Sequence, residues 1–333
     1  MIILSIESSC DETAVAVTEN GRTVLSDIIN SQVDMHAVYG GVVPEIASRA
    51  HAEVISTLAD KALVSAGIGR DQIDAVAVTY APGLIGALLV GVSFGKSVAM
   101  ALGRPLIPVH HIKGHIAANY IAYPELKPPF LCLVISGGHS LIADVKTYTD
   151  MSVIGSTRDD AAGECFDKVA RVLGLGYPGG LPVDRLAQTG DMHKYKLPRS
   201  AVSGCPYDMS FSGLKTAVIN TVHNSLQKGE EIDKASLAAS FSSAVSDTLV
   251  PRTIKAALEL GYTKIAAAGG VAANSFVRSE LEKEAKTHRL ELYMPPLKLC
   301  GDNAAMIGCQ GYYEYLAGNT ADSSLNAFAS LEI

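Results

Sequence analysis

Charge is scarce in this chain: only 18% of its 333 residues are Asp, Glu, Lys or Arg, and the balance is acidic, at −7. A protein that lives on phosphate contacts carries a basic surplus, so nucleic acid is not indicated globally; any such binding needs a local patch or a partner's help. Paired cysteines are missing as well. Cys10, Cys132, Cys165, Cys205, Cys300 and Cys309 stand apart with no C-x-x-C among them, which argues against a zinc knuckle and fits a reducing cytosol. No basic leader precedes the opening MIILSIESSC, which reads as a strand and not as a signal peptide. The longest apolar stretch, residues 84–92, is broken by Gly86 and Gly91 and soon meets Lys96, too short a run for a bilayer. There is no Ser/Gly linker and no low-complexity tract. No G-x-x-x-x-G-K-[ST] occurs and no G-x-G-x-x-G follows the first strand, so the chain is neither a P-loop enzyme nor a conventional dinucleotide binder.

Apolar residues are plentiful, at 48%, enough for a large core. The length fits two domains. Alternation predicts strands over residues 2–8, 13–17 and 23–28, with a polar loop at Ser8-Ser9-Cys10-Asp11-Glu12 and a turn at Glu19-Asn20-Gly21. From residue 130 the same plan recurs: a strand to 135, a loop over 136–139, a strand over 140–145 and another over 153–156. This predicts a structural duplication. Pro44 opens a helix with Ile46, Ala50, Val54, Leu58 and Ala62 at helical spacing. Further helices are expected over 84–102, from His111, from a cap at Asp159 or Asp160 to Leu173, over 234–259 and from Asn274. Strands are expected at 74–79, 105–109 and 264–268, and a loop at 174–182. Strands alternating with helices give an α/β protein. The boundary is placed so that residues 1–128 form the first lobe, completed by a C-terminal helix near 310–333, and residues 129–309 form the second.

The pentapeptide His111-Ile112-Lys113-Gly114-His115 puts two imidazoles on one face of a helix, a workable bite for a divalent metal. A zinc-protease helix needs Glu directly after the first His, and here that position is Ile112. Asp302 is a candidate third ligand; taken alone, at the start of a helix, it reads first as an N-cap. Three glycine loops follow: Ser136-Gly137-Gly138-His139 and Gly269-Gly270-Val271-Ala272-Ala273-Asn274 after strands, and Tyr177-Pro178-Gly179-Gly180. Missing Cβ atoms let backbone amides approach an anion. Among the carboxylates, Asp11 and Glu12 sit in the first loop, while Asp167 and Asp184 read either as ribose acceptors or as surface charge. The stretch 193–199, His-Lys-Tyr-Lys-Leu-Pro-Arg, reads as a phosphate and base contact or as a solvated loop.

Residues 6–13, 111–115, 136–139, 159–168, 211–216, 269–275 and 300–304, taken together, closely resemble the bacterial tRNA threonylcarbamoyladenosine transferase family, TsaD. The resemblance runs from about residue 1 to 315. Ser9 and Ser140 stand where the family commonly has threonine, a change that keeps the hydroxyl. The resemblance implies an actin-like ATPase (ASKHA) fold, two duplicated RNase H-like lobes with a nucleotide and metal cleft between them. It implies one divalent metal, Fe(II) before Zn(II), held by His111, His115 and Asp302. It implies adenine-nucleotide contacts, to threonylcarbamoyl-AMP or ATP, from Ile135, Ser136, Gly137, Gly138, His139, Asp167, Gly180, Asp184 and Asn274.

The implied reaction moves the threonylcarbamoyl group from L-threonylcarbamoyl-adenylate to N6 of adenine 37 in tRNAs reading codons that begin with A, releasing AMP. A general base must take the amine proton; Glu12 is the first candidate and Asp11 the second. The implied partners are tRNA, a TsaB-like inactive paralogue, a TsaE-like P-loop ATPase and a threonylcarbamoyl-AMP synthase supplying the donor, in the cytoplasm and without a membrane. The small-residue face of residues 84–102 serves either the paralogue or internal packing. Two competing readings are an actin-fold small-molecule kinase, which has no need of His111 and His115, and a nucleotide-switched chaperone, for which the chain has no room for a peptide-binding extension.

Overall fold

The computed structural model describes residues 1–199 and 202–333. The chain divides into two compact units. Unit 1 comprises residues 1–128, 146–151 and 295–333, and unit 2 residues 129–145 and 152–294.

In unit 1, β1 (Ile2–Glu7), β2 (Glu12–Glu19), β3 (Thr23–Ser31), β4 (Ala75–Ala81) and β5 (Leu106–His110) form a sheet in the order β3-β2-β1-β4-β5. The pairs β1–β2 and β2–β3 are antiparallel; β1–β4 and β4–β5 are parallel. The β2–β3 turn uses Asn20 and Gly21 in left-handed conformations, open to both residue types at little steric cost. β1 and β4 are buried almost end to end, as central strands covered on both faces must be. One face is covered by α2 (Pro44–Ala66) and α3 (Ile85–Leu102), which follow a short α1 (Val33–Ala37). Pro44 takes the first turn of α2, and Gly67 closes it in the left-handed region. α4 (His111–Ala122) follows β5 directly.

Unit 2 repeats the plan. Its strands β6 (Phe130–Ile135), β7 (Ser140–Val145), β8 (Met151–Ser156), β9 (Lys264–Ala268) and β10 (Glu291–Tyr293) lie in the order β8-β7-β6-β9-β10. The helices are α5 (Ala162–Leu173), α6 (Gly180–Ala187), α7 (Ser212–Lys228), α8 (Lys234–Leu260) and α9 (Ser275–His288). The last helix, α10 (Ala304–Leu316), returns to unit 1 and packs on α4, β1 and β2.

Four expectations need correction. Residues 295–309 belong to unit 1 and not to the second lobe, because α10 is glycine-notched to fit the first sheet: a Cβ at Gly308 would meet the Thr18 and Ser5 hydroxyls, and one at Gly311 would meet Ala77. The segment 174–182 is not all loop, since α6 begins at Gly180. α5 is preceded by Ala161 without a side-chain cap; Asp159 instead accepts from Phe211 N at 2.7 Å and Ser212 N at 3.2 Å, at the start of α7, a helix the sequence reading missed. Finally, the C-terminal helix expected near 310–333 is α10, Ala304–Leu316, and residues 317–333 form no helix. The small-residue face of α3, open between a partner and internal packing, is spent inside unit 1. A Cβ at Gly86 would strike Ser48, one at Gly91 Ser8, and one at Gly95 would crowd Val78. By length and composition α3 could cross a membrane, but a core helix has the same composition, and this one packs on β4 and α2.

Candidate functional site

In unit 1 the chemistry gathers where β1, β4 and β5 end. β5 runs straight into α4, and the His110 ring caps the junction, its Nδ1 accepting from Ile112 N at 3.3 Å. This fixes the first turn of α4 and puts His111 and His115 on one face, with ring centroids 4.6 Å apart. Gly114 lies between them because α10 crosses there: a Cβ would come within 2.7 Å of Ile307. The cap of α10 is Asn303, which accepts from Met306 N at 2.9 Å. Asp302 is therefore not the N-cap, and its carboxylate faces the histidines. Asp302 Oδ1 lies 3.1 Å from His115 Nε2 and 3.7 Å from His111 Nε2. Ligand atoms of all three residues fall within 4.8 Å of one another. The triad lies wholly in unit 1, so the carboxylate does not come from the second lobe.

Do these residues suit a metal? The His115 ring is buried, with its Nδ1 without a hydrogen-bond partner and its Nε2 facing the Asp302 carboxylate, an expensive arrangement for a polar ring unless a ligand completes it. Two imidazoles and one carboxylate form a donor set that suits Fe(II) and Zn(II) alike. The fit is good.

Around the triad the field is acidic. Sequence reasoning missed Glu7, although it ends a buried apolar strand, where a carboxylate always needs an explanation. Glu7 Oε2 lies 3.0 Å from His111 Nδ1 and accepts from Thr79 Oγ1 at 2.6 Å; Oε1 accepts from Ser9 N at 2.6 Å. Burial works against its charge, yet the His111 ring holds the carboxyl below its ordinary value. Conversely, burial opposes a charged His111, and Glu7 and Asp302 raise it to about 9. Glu12 opens β2, and its Oε1 accepts from Ser31 Oγ at 3.2 Å. Burial first, then Asp302 and Asp11, pushes the Glu12 carboxyl up to about 9. Asp11, beside it, is also buried.

In unit 2 the proposed nucleotide residues share the C-terminal edge of the sheet, where open α/β folds place ligands. β6 ends at Ile135 and its parallel neighbour β9 at Ala268. The loop after β6 folds back on itself, with Ser136 N donating to His139 O at 2.8 Å. Gly137 and Gly138 have open space beside them, while Gly163 of α5 packs directly on Ser136 O. The loop after β9 comes close as well: Gly269, at φ 89°, would press a Cβ on Ile135 O. Asn274 caps α9, its Oδ1 accepting from Phe276 N and Val277 N, while its buried Nδ2 has no partner. Asp167 accepts from Gly179 N at 2.7 Å, which holds the turn into Gly180. Asp184 accepts from the Ser275 amide at 3.0 Å and hydroxyl at 2.7 Å. The predicted residues of unit 2 thus form one connected rim, and Asp167 and Asp184 do not read as loose surface charge. The stretch 193–199 is tied to α8 and the turn before it: Lys194 pairs with Asp233 at 2.8 Å and Arg199 with Asp247 at 2.6 Å, which leaves little basic surplus for a phosphate backbone.

Comparison with known proteins gives this arrangement its context. The family model for TsaD, tRNA N6-adenosine threonylcarbamoyltransferase, matches residues 23–309. A protein of that name from Clostridium botulinum (strain Kyoto / Type A2) is 54% identical over 331 residues, covering 99% of this chain and 97% of its own length. Among solved structures, full-length HypF matches with a TM-score of 0.62 at 14% identity, covering 97% of this chain and 47% of that one. Component A of the Acidaminococcus fermentans (R)-2-hydroxyglutaryl-CoA dehydratase matches with a TM-score of 0.54 at 17% identity, covering 95% and 97%. At such identities structures speak to the fold alone, which is that of the actin-like ATPases. The sequence matches speak to kinship, and by them the chain belongs to the TsaD family of tRNA N6-adenosine threonylcarbamoyltransferases.

Proposed function

We propose that this chain transfers the threonylcarbamoyl group of L-threonylcarbamoyl-adenylate to N6 of adenine 37 in tRNAs reading codons that begin with A. The amine nitrogen bonds to the carbamoyl carbon, the bond from that carbon to the phosphate oxygen breaks, and AMP leaves. Kinship supplies the reaction class. Within the molecule the reading is carried by the convergence of His111, His115 and Asp302, which an actin-fold kinase has no use for.

The three residues would hold a divalent ion, Fe(II) first and Zn(II) second. When bound, that ion supplies a Lewis acid and a template for an acyl carbonyl. The chain's own groups do the rest. Backbone amides at Gly137 and Gly138, in a loop closed by Ser136 and His139 with Ile135 behind it, receive the phosphate and steady AMP as it leaves. Asn274 and Asp167 grip base and ribose, and Gly180 and Asp184 shape the same rim. Glu12 is the first choice to take the N6 proton and Asp11 the second, two carboxylates at the entry to β2. The working assembly includes tRNA, a TsaB-like paralogue, a TsaE-like ATPase and a synthase supplying the adenylate, in the cytoplasm.

The test is direct. Purified protein with its partners, synthetic threonylcarbamoyl-adenylate and unmodified tRNA should yield modified A37 by mass spectrometry of digested tRNA, and His111→Ala should not. An unmodified A37 in the complete mixture would end the proposal and favour the kinase reading, and a His111→Ala protein with full activity would remove the His111–His115–Asp302 triad from the reaction.

A further inference from the structure

Glu7 is enclosed at the end of β1, and every approach to its carboxylate is from a donor. Ser9 N donates to one oxygen at 2.6 Å and Thr79 Oγ1 to the other at 2.6 Å, with His111 Nδ1 facing that second oxygen at 3.0 Å. The Glu7 carboxylate has no proton to give and the Ser9 hydroxyl, 3.2 Å from Nδ1, can accept as well, so both partners are met when Nδ1 carries the proton. A neutral imidazole has a single N–H. Its other nitrogen, Nε2, then bears the lone pair, and Nε2 is the atom on the Asp302 side. His115 has no such partner: its buried Nδ1 is not hydrogen-bonded. One histidine is preset and the other is free to adapt.

We infer that Glu7 is a positioning residue for the metal centre, fixing His111 as the Nδ1–H tautomer so that Nε2 alone faces the ion, with Thr79 and Ser9 holding Glu7 in place. The inference rests on the metal reading above. Carboxylate partners of metal-bound histidines set ring orientation and raise ligand basicity, and losing one costs roughly 10- to 100-fold in metal affinity. Glu7→Gln keeps the shape but fails the pattern. Its amide NH2 must face either Ser9 N, donor against donor, or His111, where it demands the wrong tautomer.

The test uses full-length protein and Zn(II). With 15N-labelled histidine, the zinc-loaded wild type should show a protonated Nδ1 and a metal-bound Nε2 at His111; zinc on Nδ1 would overturn the inference. By chelator competition, Glu7→Gln should bind Zn(II) about 10- to 100-fold more weakly, and Thr79→Val should show a smaller loss in the same direction. Melting of the metal-free proteins reports folding separately. Equal affinities in folded variants would overturn the role of Glu7 and leave the metal reading standing, whereas a wild type that binds no Zn(II) would overturn both. The wild-type spectrum decides the matter even if Glu7→Gln fails to fold.

Discussion

The two sheets share one strand order, yet the loop after the first strand is built from opposite materials in each. In unit 1, residues 8–11 are mostly buried, and the surrounding charge is carried by side chains: Glu7, Asp11, Glu12 and, just ahead of α10, Asp302. In unit 2, the corresponding loop after β6 presents Gly137 and Gly138 with nothing within 4 Å of their missing side chains. One copy of the plan gathers anionic side chains and so suits a cation. The other strips side chains away and offers amides, and so suits an anion. Duplication fixed the backbone, while the choice of side chains gave the copies opposite electrostatic sense.

That contrast can be broken experimentally. The largest effect should come from Asp302→Ala: metal retention, read by elemental analysis, and transfer to tRNA should both fall to background, while nucleotide binding, read by fluorescence, persists. Loss of both kinds of binding together would deny that the two loops act independently. Gly163→Ala should come next. Its Cβ would lie 2.5 Å from Ser136 O, and such overpacking costs about 1–3 kcal/mol, visible as a lower Cm in urea. Gly137→Ala has open space and should change stability by less than about 0.5 kcal/mol, yet weaken adenylate binding. Asn274→Ala removes the cap of α9, at about 1 kcal/mol, and should weaken adenylate binding without affecting metal content.

A separate effect is a pH slope that arises in unit 1. His111 is raised from 6.5 to about 9 and Glu12 from 4.5 to about 9. In both cases the folded state holds the proton more tightly than the unfolded one. The stability from Glu12 is fully present below pH 4.5 and that from His111 below pH 6.5, and both are lost as pH rises through 9. Metal-free protein should therefore melt at progressively lower temperature as pH rises toward 9. Added Zn(II) should flatten that slope and release protons, measurable by calorimetry in buffers of different ionisation enthalpy.

Much of this was legible in the sequence. The repeated strand–loop–strand plan announced two related sheets, and the four-residue spacing of His111 and His115 announced the bite. What stayed hidden depended on packing between segments distant in sequence. Asp302 read first as a cap until Asn303 took that role. Asp159 read as the cap of the next helix, whereas it serves one that starts at Ser212. The spacing of Leu214, Val218 and Val222 carried the signal for that helix and went unused. Glu7 was invisible as a functional residue because its meaning comes from Thr79 and His111, far along the chain.

The return of residues 295–333 to unit 1 has a consequence for biosynthesis. All of unit 2 lies before residue 295 in the chain, so on the ribosome its segments emerge and can fold ahead of the last piece of unit 1. The two imidazoles leave the exit tunnel early and meet their carboxylate only after all of unit 2 has emerged. A nascent chain halted before Asp302 would lack the third member of the triad.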